Sequence, residues 1–312
     1  MDNVTHTLVG VCLANAFYRR RLGRATVPIL AVASNLPDVD ALVVLSGSTR
    51  SVLERRTFGH SLLLLPFWIL LLSLLVRRLA PHLRFVSILA MCTLGAGVHL
   101  LFDLVNSFGV VLLWPFSDWR PELATVFIID FILTGLLAAP LLLYAVRSWR
   151  PHLQGFSRAA LVAVCAYLAL CAGSRRLAAK TLDREAERFH DEPPSLEYLF
   201  PEPLGPHRWR GVLREGDVYH LYLIHSMSGR LESYGWVRSQ VDDPAVEAAR
   251  QSRLGQRLER FFKAPVWEVS GGSGPATVSA TDLRFRSLVL ERGSIFVFRF
   301  KVDSGGKVSP GS

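Results

Sequence analysis

Four stretches almost free of charge constrain this chain more than any other feature: Ser61 to Val76, Phe85 to Val105, Thr125 to Val146 and Ala159 to Gly173. Each approaches the ~20 residues a helix needs to cross ~30 Å of hydrocarbon. Soluble proteins rarely contain four such runs, so a chain of 312 residues with half of them hydrophobic reads here as a membrane bundle rather than one large soluble core. Two earlier apolar stretches, Leu8 to Tyr18 and Val27 to Ser46, read as spanning or partly inserted. The first is short, and the second is broken by Pro37, Asp38 and Asp40. The N-terminus does not have the order of a cleavable signal, because its basic cluster (Arg19, Arg20, Arg21, Arg24) follows the apolar run instead of preceding it.

The formal charge of +9 would suit a nucleic-acid binder, but its distribution removes that reading. Residues 181–312 hold 18 Lys+Arg against 18 Asp+Glu, so the whole excess lies before them. It sits in short loops. If the six apolar segments are six crossings, the loops after the first, third and fifth contain Arg19, Arg20, Arg21, Arg24, Arg77, Arg78, Arg84, Arg147, Arg150 and Arg158 and no acidic residue. The positive-inside rule makes those loops cytoplasmic and puts the C-terminal part of the chain outside the cytoplasm. Arg50, Arg55, Arg56 and the Arg175, Arg176, Lys180 group point weakly the other way. Cys12, Cys92, Cys165 and Cys171 all lie in apolar segments without CxxC spacing, where cysteine behaves as a small hydrophobe.

Beyond Lys180 the character changes. A charged segment and a Pro-rich stretch (Pro193, Pro194, Pro201, Pro203, Pro206) read as a linker over residues 181–206. Aromatic and β-branched runs then predict strands at Trp209 to Leu213, Val218 to His225, Glu232 to Val241, Val266 to Val269, Ala276 to Val289 and Ser294 to Val302. One helix is predicted between them, from Pro244 to Phe262. The expected architecture is therefore an α-helical polytopic membrane domain, residues 1–180, followed by a smaller β-rich (α+β) extramembrane domain, residues 207–302, and a flexible tail, residues 303–312.

An ionised group in hydrocarbon costs several kcal/mol, about 2.5 to 3.5 on insertion scales. Yet Asp38, Asp40, Asp103 and Asp130 lie within apolar runs, accompanied by His99 and by His6 and His60 at segment ends. In the topology deduced from arginines alone, every one falls at the outer end: His6 before the first helix, His99 and Asp103 near the end of the fourth, and Asp130 about one and a half turns into the fifth. His99 and Asp103 are spaced i, i+4, which stacks them on one helix face where imidazole and carboxylate reach one cation together. Gly95 and Gly97 would let another helix approach that face. Imidazole mixed with carboxylate suits Zn²⁺ or a similar divalent ion, since Mg²⁺ and Ca²⁺ favour oxygen shells. A lone His-x3-Asp pair is as well explained by an interhelical hydrogen bond; the gathering of all these groups at one membrane face favours the metal. Asp38 and Asp40, two residues apart, would point about 200° away from each other on a regular helix, so Pro37 marks a distorted segment or the two have different roles.

The segments MDNVTHTLVG at the start, NLPDVD at 35–40, RTFGHSLL at 56–63, HLLFDLVNSFGVVLLWPFSDWR at 99–120 and FIID at 127–130 together resemble the YdjM/YbcI-type family of bacterial inner-membrane proteins, described as metal-dependent hydrolases. The later segments RWRGVL at 208–213 and ATDLRF at 280–285 resemble the C-terminal region some members carry. The resemblance implies a metal-binding hydrolase centre at His6, Asp38, Asp40, His60, His99 and Asp103. The order His, Asp, His, His-x3-Asp is also similar to part of the zinc-dependent phospholipase C and P1 nuclease pattern, but this chain lacks a later His-x3-Glu pair.

The expected function is a metal-dependent hydrolase of the cytoplasmic membrane, with its site at the outer face and a divalent cation, Zn²⁺, as cofactor. Asp38 and Asp40 are the candidates for ligand or general base. Asp118 and Asp130 are candidates for orienting ligating imidazoles, and Arg120 for meeting an anionic substrate. Expected partners are membrane lipids and a substrate of lipid or phosphoester type at headgroup depth, with no nucleic acid. The alternative is a non-enzymatic metal-binding, transport or assembly protein whose outer domain binds a partner.

Overall fold

The computed structural model describes residues 2–46, 51–188, 194–271, 275–290, 294, 296–303 and 305–311. Residues 189–193, which include His190 and Pro193 at the start of the Pro-rich stretch, lie outside them. The chain divides into two compact units, Met1–Ala172 and Gly173–Ser312.

The first unit is helical. Asp2 accepts the Thr5 N–H at 3.0 Å and so caps α1 (Asn3–Leu13). A π turn, Ala14–Tyr18, and a short α2, Arg19–Leu22, continue it until Gly23, whose positive φ ends the run. Next come α3 (Thr26–Ala33), a 3₁₀ stretch over Leu36–Ser46, α4 (Ser51–Glu54), α5 (Leu65–Leu79), α6 (Phe85–Val105) and α7 (Phe131–Ala145). α8 runs from Leu153 to Ala186. Val9, Ile29, Leu30, Ile88, Met91, Cys92, Ala96 and Leu133 form the centre of one core shared by α1, α3, α6 and α7. Gly95 is what lets α3 and α6 meet: a Cβ there would stand 2.7 Å from that of Ala33. A Cβ at Gly97 would meet nothing, so only the first of the two expected small-residue contacts exists.

Among the described residues two helical segments are long and apolar enough to cross a membrane, Phe85–Val105 and Arg147–Ala186, with the shorter apolar Phe131–Ala145 beside them. Six uniform crossings are therefore not what the helices provide. The second apolar segment breaks after Ala33, where Asn35 and Pro37 open the 3₁₀ stretch. α5, with 15 residues, rises only about 22 Å. The fifth apolar segment turns helical only at Phe131, because Asp130 is the N-cap of α7 rather than a residue one and a half turns inside it. His6 likewise lies within α1 and not ahead of it.

The second unit contains two antiparallel four-stranded meanders. β1 (Leu196–Pro201), β2 (Arg208–Glu215), β3 (Val218–His225) and β4 (Arg230–Arg238) form one. β5 (Pro265–Ser270), β6 (Ala276–Asp282), β7 (Val297–Val302) and β8 (Val308–Pro310) form the other. β1 lies within the stretch read as linker and β8 within the tail. Prolines there hide two edge strands whose pairing, Leu199 with Gly211 and Lys301 with Ser309, supplies order that composition does not signal. The predicted single helix is two, α9 (Pro244–Gln251) and α10 (Arg253–Phe261), because Ser252 adopts extended backbone and its hydroxyl accepts from Gly255 N. Arg210 is fully buried: it donates to Glu202 Oε1 at 2.7 Å and to the Arg284 carbonyl at 3.1 Å, joining β2 to the turn after β6.

Candidate metal centre

The polar residues of the first unit gather around α6. His99 and Asp103 face the same side of it, and both are fully buried. His6 arrives from α1 with its ring stacked on His99 at 3.7 Å between centroids. Its Nε2 lies 3.2 Å from Asp103 Oδ1. His60 arrives from the turns before α5, placed there because Gly59 lets the chain pass directly against the Pro37 carbonyl. Asp38, His60, His99 and Asp103 each offer a ligand atom within 4.8 Å of the others.

Hydrogen bonds on the far side of each ring define what faces this cluster. His99 Nδ1 lies 2.7 Å from the Ser34 carbonyl, which only accepts, so that nitrogen carries the proton. His60 Nδ1 lies 2.9 Å from the Asp40 carboxylate and is likewise the donor. In the neutral rings both Nε2 atoms are then bare lone pairs, and they face each other at 3.1 Å. Asp103 Oδ2 adds a third electron-rich atom, 3.2 Å from His60 Nε2 and 3.5 Å from His99 Nε2. Such an arrangement is repulsive without a positive centre among the three atoms, and one proton would relieve a single pair only. Ligand nitrogens about 2.0–2.1 Å from a tetrahedral Zn²⁺ stand roughly 3.3 Å apart, close to the spacing found here. The donor set fits a divalent cation.

Charge counting agrees. Asp38, Asp40 and Asp103 are opposed by one guanidinium, that of Arg56, whose Nε donates to Asp103 Oδ2 at 2.8 Å. Among the described side chains, carboxylates outnumber guanidinium groups at this buried site, a balance to which a divalent ion is suited. Arg56 is itself buried at 6% exposure, donates to Asn106 Oδ1 at 3.0 Å and lies over the Phe108 ring. Its backbone φ of +57° is unusual for a non-glycine residue, the kind of conformation that concentrates at functional sites. By sequence alone Arg56 stands out only as a loop charge, and the signal that it belongs to the site is its place in RTFGHSLL, four residues before His60.

The two carboxylates of the 3₁₀ stretch go to different places. Asp38 Oδ1 stands 3.9 Å from the Nε2 of both His60 and His99, while its Oδ2 accepts from Asn3 Nδ2 at 3.0 Å. Asp40 reaches the opposite nitrogen of His60 and accepts from Thr57 N at 2.9 Å. Asp130 is used elsewhere: it caps α7 through Leu133 N and accepts from the Tyr167 hydroxyl at 2.7 Å. Arg120 donates to the carbonyls of Gly109, Leu53 and Arg55, tying the residues before Arg56 to the loop after α6. Asp118 is exposed.

A helical bundle with apolar spans and a buried His/Asp cluster defines a membrane protein with a candidate metal centre. Residues 1–178 match the family described as YdjM inner membrane protein, and the chain belongs to that family. It is similar to the uncharacterized protein YfhP of Bacillus subtilis (strain 168), 24% identical over 302 residues that cover 92% of this chain and 88% of the relative. No solved structure matches the chain significantly.

Proposed function

We propose that this protein is a membrane-bound, metal-dependent hydrolase with His60, His99 and Asp103 holding the metal, Asp38 facing it, His6 as a further ligand through its contact with Asp103, and Zn²⁺ as the metal. The observation that carries the reading is the pair of Nε2 atoms of His60 and His99, facing each other at 3.1 Å with Asp103 beside them. A bound divalent ion would lower the pKa of a coordinated water toward about 7 and neutralise charge on a substrate oxygen. The protein's own groups divide the remaining work. Asp40 and the Ser34 carbonyl fix the tautomers of His60 and His99. Asp38 has the role of general base: it faces both imidazoles without touching either, and its 9% exposure is the greatest among the four ligand candidates.

Arg56 beside Asp103 adds a fixed positive charge suited to an anionic oxygen, which favours a phosphoester over a neutral ester. The polar end of the bundle lies at headgroup depth in the topology set by the arginine-rich loops, so the substrate class is a lipid or lipid-linked phosphoester at the outer face, with the C-terminal unit outside the cytoplasm. The test is metal analysis of the detergent-purified chain together with assays on a chromogenic phosphodiester and a chromogenic carboxylic ester. About one or two equivalents of a zinc-like ion and chelator-sensitive phosphodiester cleavage are expected. Absence of metal after reconstitution would leave the cluster as a structural network.

A further inference from the structure

The opposite end of the first unit carries a second polar feature that the metal centre does not use. Arg19, Arg20, Arg24 and Arg150 line one cleft of about 590 Å³ together with Asn15, Tyr144 and Gln154, and no carboxylate among the described residues lines it. The cleft is built rather than incidental. Arg19 donates to Asn15 Oδ1 at 3.0 Å and lies over the Tyr144 ring at 5.6 Å. Arg150 lies over that ring at 5.4 Å and donates to the Tyr144 carbonyl. Arg20 donates to the Pro151 carbonyl at 3.2 Å. The π turn at Ala14–Tyr18 contributes as well: it presents the Ala16 carbonyl to both Gln154 Nε2 and Arg158 Nε, at 3.0 and 3.1 Å, and so fixes the start of α8 against α1. Turns of this kind occur frequently at functional sites.

Each of these three guanidiniums has five N–H donors and uses one or two on protein acceptors. Four like charges held around one concavity repel one another, and an anion with several oxygens offsets that repulsion while accepting the remaining donors in bidentate geometry. The surroundings select among anions: Phe17, Leu142, Val146 and Trp149, neighbours in sequence of the cleft residues, are 49%, 71%, 45% and 43% exposed. Exposed aromatic and aliphatic side chains beside arginines are the pattern of a headgroup-level surface. We propose that this cleft binds the phosphate-bearing headgroup of an anionic lipid, at the end of the helical unit away from the metal centre.

The experiment is native mass spectrometry of the full chain in detergent, titrated separately with phosphatidylglycerol and phosphatidylcholine. One phosphatidylglycerol is expected to be retained about tenfold more readily than phosphatidylcholine, and Arg20→Gln combined with Arg150→Gln is expected to abolish that preference with helicity unchanged. Arg20→Lys with Arg150→Lys keeps the charge that governs insertion but removes the planar fork, and should lose most of the preference too. Equal retention of the two lipids by the unaltered chain, or full preference in both double variants, overturns the proposal. Complete displacement of the lipid by millimolar inorganic phosphate overturns the lipid assignment in favour of a free anion.

Discussion

Asp40 Oδ2 lies 2.9 Å from Nδ1 of His60, the ring nitrogen turned away from the cluster, while Asp38, two residues earlier, stands on the Nε2 side of the same ring. The two carboxylates therefore address opposite faces of one imidazole. In the proposed metal centre, Asp40 would act through His60, fixing its tautomer and raising its basicity, and Asp38 would face the reacting side.

This separation predicts different phenotypes. Asp40→Asn should weaken metal affinity about 10- to 100-fold, with activity recovering at saturating metal. Asp38→Asn should keep the metal and lose turnover by about 10²- to 10⁴-fold, the range for removing a general base. Metal titration and kinetics on the same preparations distinguish them, and the same loss of metal in both variants would make Asp38 a ligand instead.

In the second unit, Arg210→Ala should destabilise by about 3–5 kcal/mol, because Glu202 would remain fully buried without its guanidinium. Glu202 also accepts from Ser287, Leu288 and Val289, so the strain would spread to the turn after β6. Denaturant unfolding followed by tryptophan fluorescence measures this. An effect under about 1 kcal/mol, the level of a surface pair, would show that Glu202 rehydrates.

Glu197 gives a pH dependence. Desolvation, and then a hydrogen bond and charge repulsion with Asp183, push its carboxyl from an ordinary 4.5 up to about 7. The folded state then binds the proton more tightly than the unfolded chain between those values, so stability declines as pH rises from 4.5 through about 7 and levels off above it. Glu197 is exposed, so solvent screening makes the decline small. Glu197→Gln should flatten the profile, with a higher Tm than the unaltered chain at pH above about 7 and an equal one near 4.5. Thermal unfolding across that window is the measurement, and parallel profiles would refute the assignment.

The parts of the site that depend on regular spacing are legible in the sequence. His99 and Asp103 share a face because i, i+4 positions always do on a helix, and Gly95 marked the close approach of α3. The placement of Asp38 against Asp40 is not legible there, since their directions follow from a 3₁₀ stretch that Pro37 allows but does not require. Arg56 is hidden for a related reason: a loop arginine and a buried partner of Asp103 have the same composition, and only the fold brings its Nε to Asp103. β1 and β8 were hidden because pairing across a sheet is nonlocal, and a strand of three residues such as Val308–Pro310 carries no periodicity of its own.

Topology can be settled without reference to the site. Reporter fusions should place the loops around Arg78 and Arg150 in the cytoplasm and a fusion at Ser312 outside, because ten arginines occupy one set of loops. A cytoplasmic C-terminus would move the metal centre to the inner face and the arginine cleft to the outer one.

The decisive substitutions are Asp103→Asn and His99→Ala. Asp103 touches His6, His60, His99 and Arg56 at once, so it is the node of the network whether or not a metal binds. Asparagine keeps its size and can still hydrogen-bond, but it removes the anionic oxygen that holds a cation. If the cluster is only a polar network, Asp103→Asn costs stability by leaving the Arg56 guanidinium buried without its carboxylate, and there is no metal content to lose. If it holds a metal, Asp103→Asn and His99→Ala should each abolish metal content and hydrolysis together. His225→Ala should do neither: His225 lies in β3, where its Nε2 is 3.2 Å from Glu232. Inductively coupled plasma mass spectrometry on the folded variants gives the answer, and full metal content in both Asp103→Asn and His99→Ala would rule out the proposed centre.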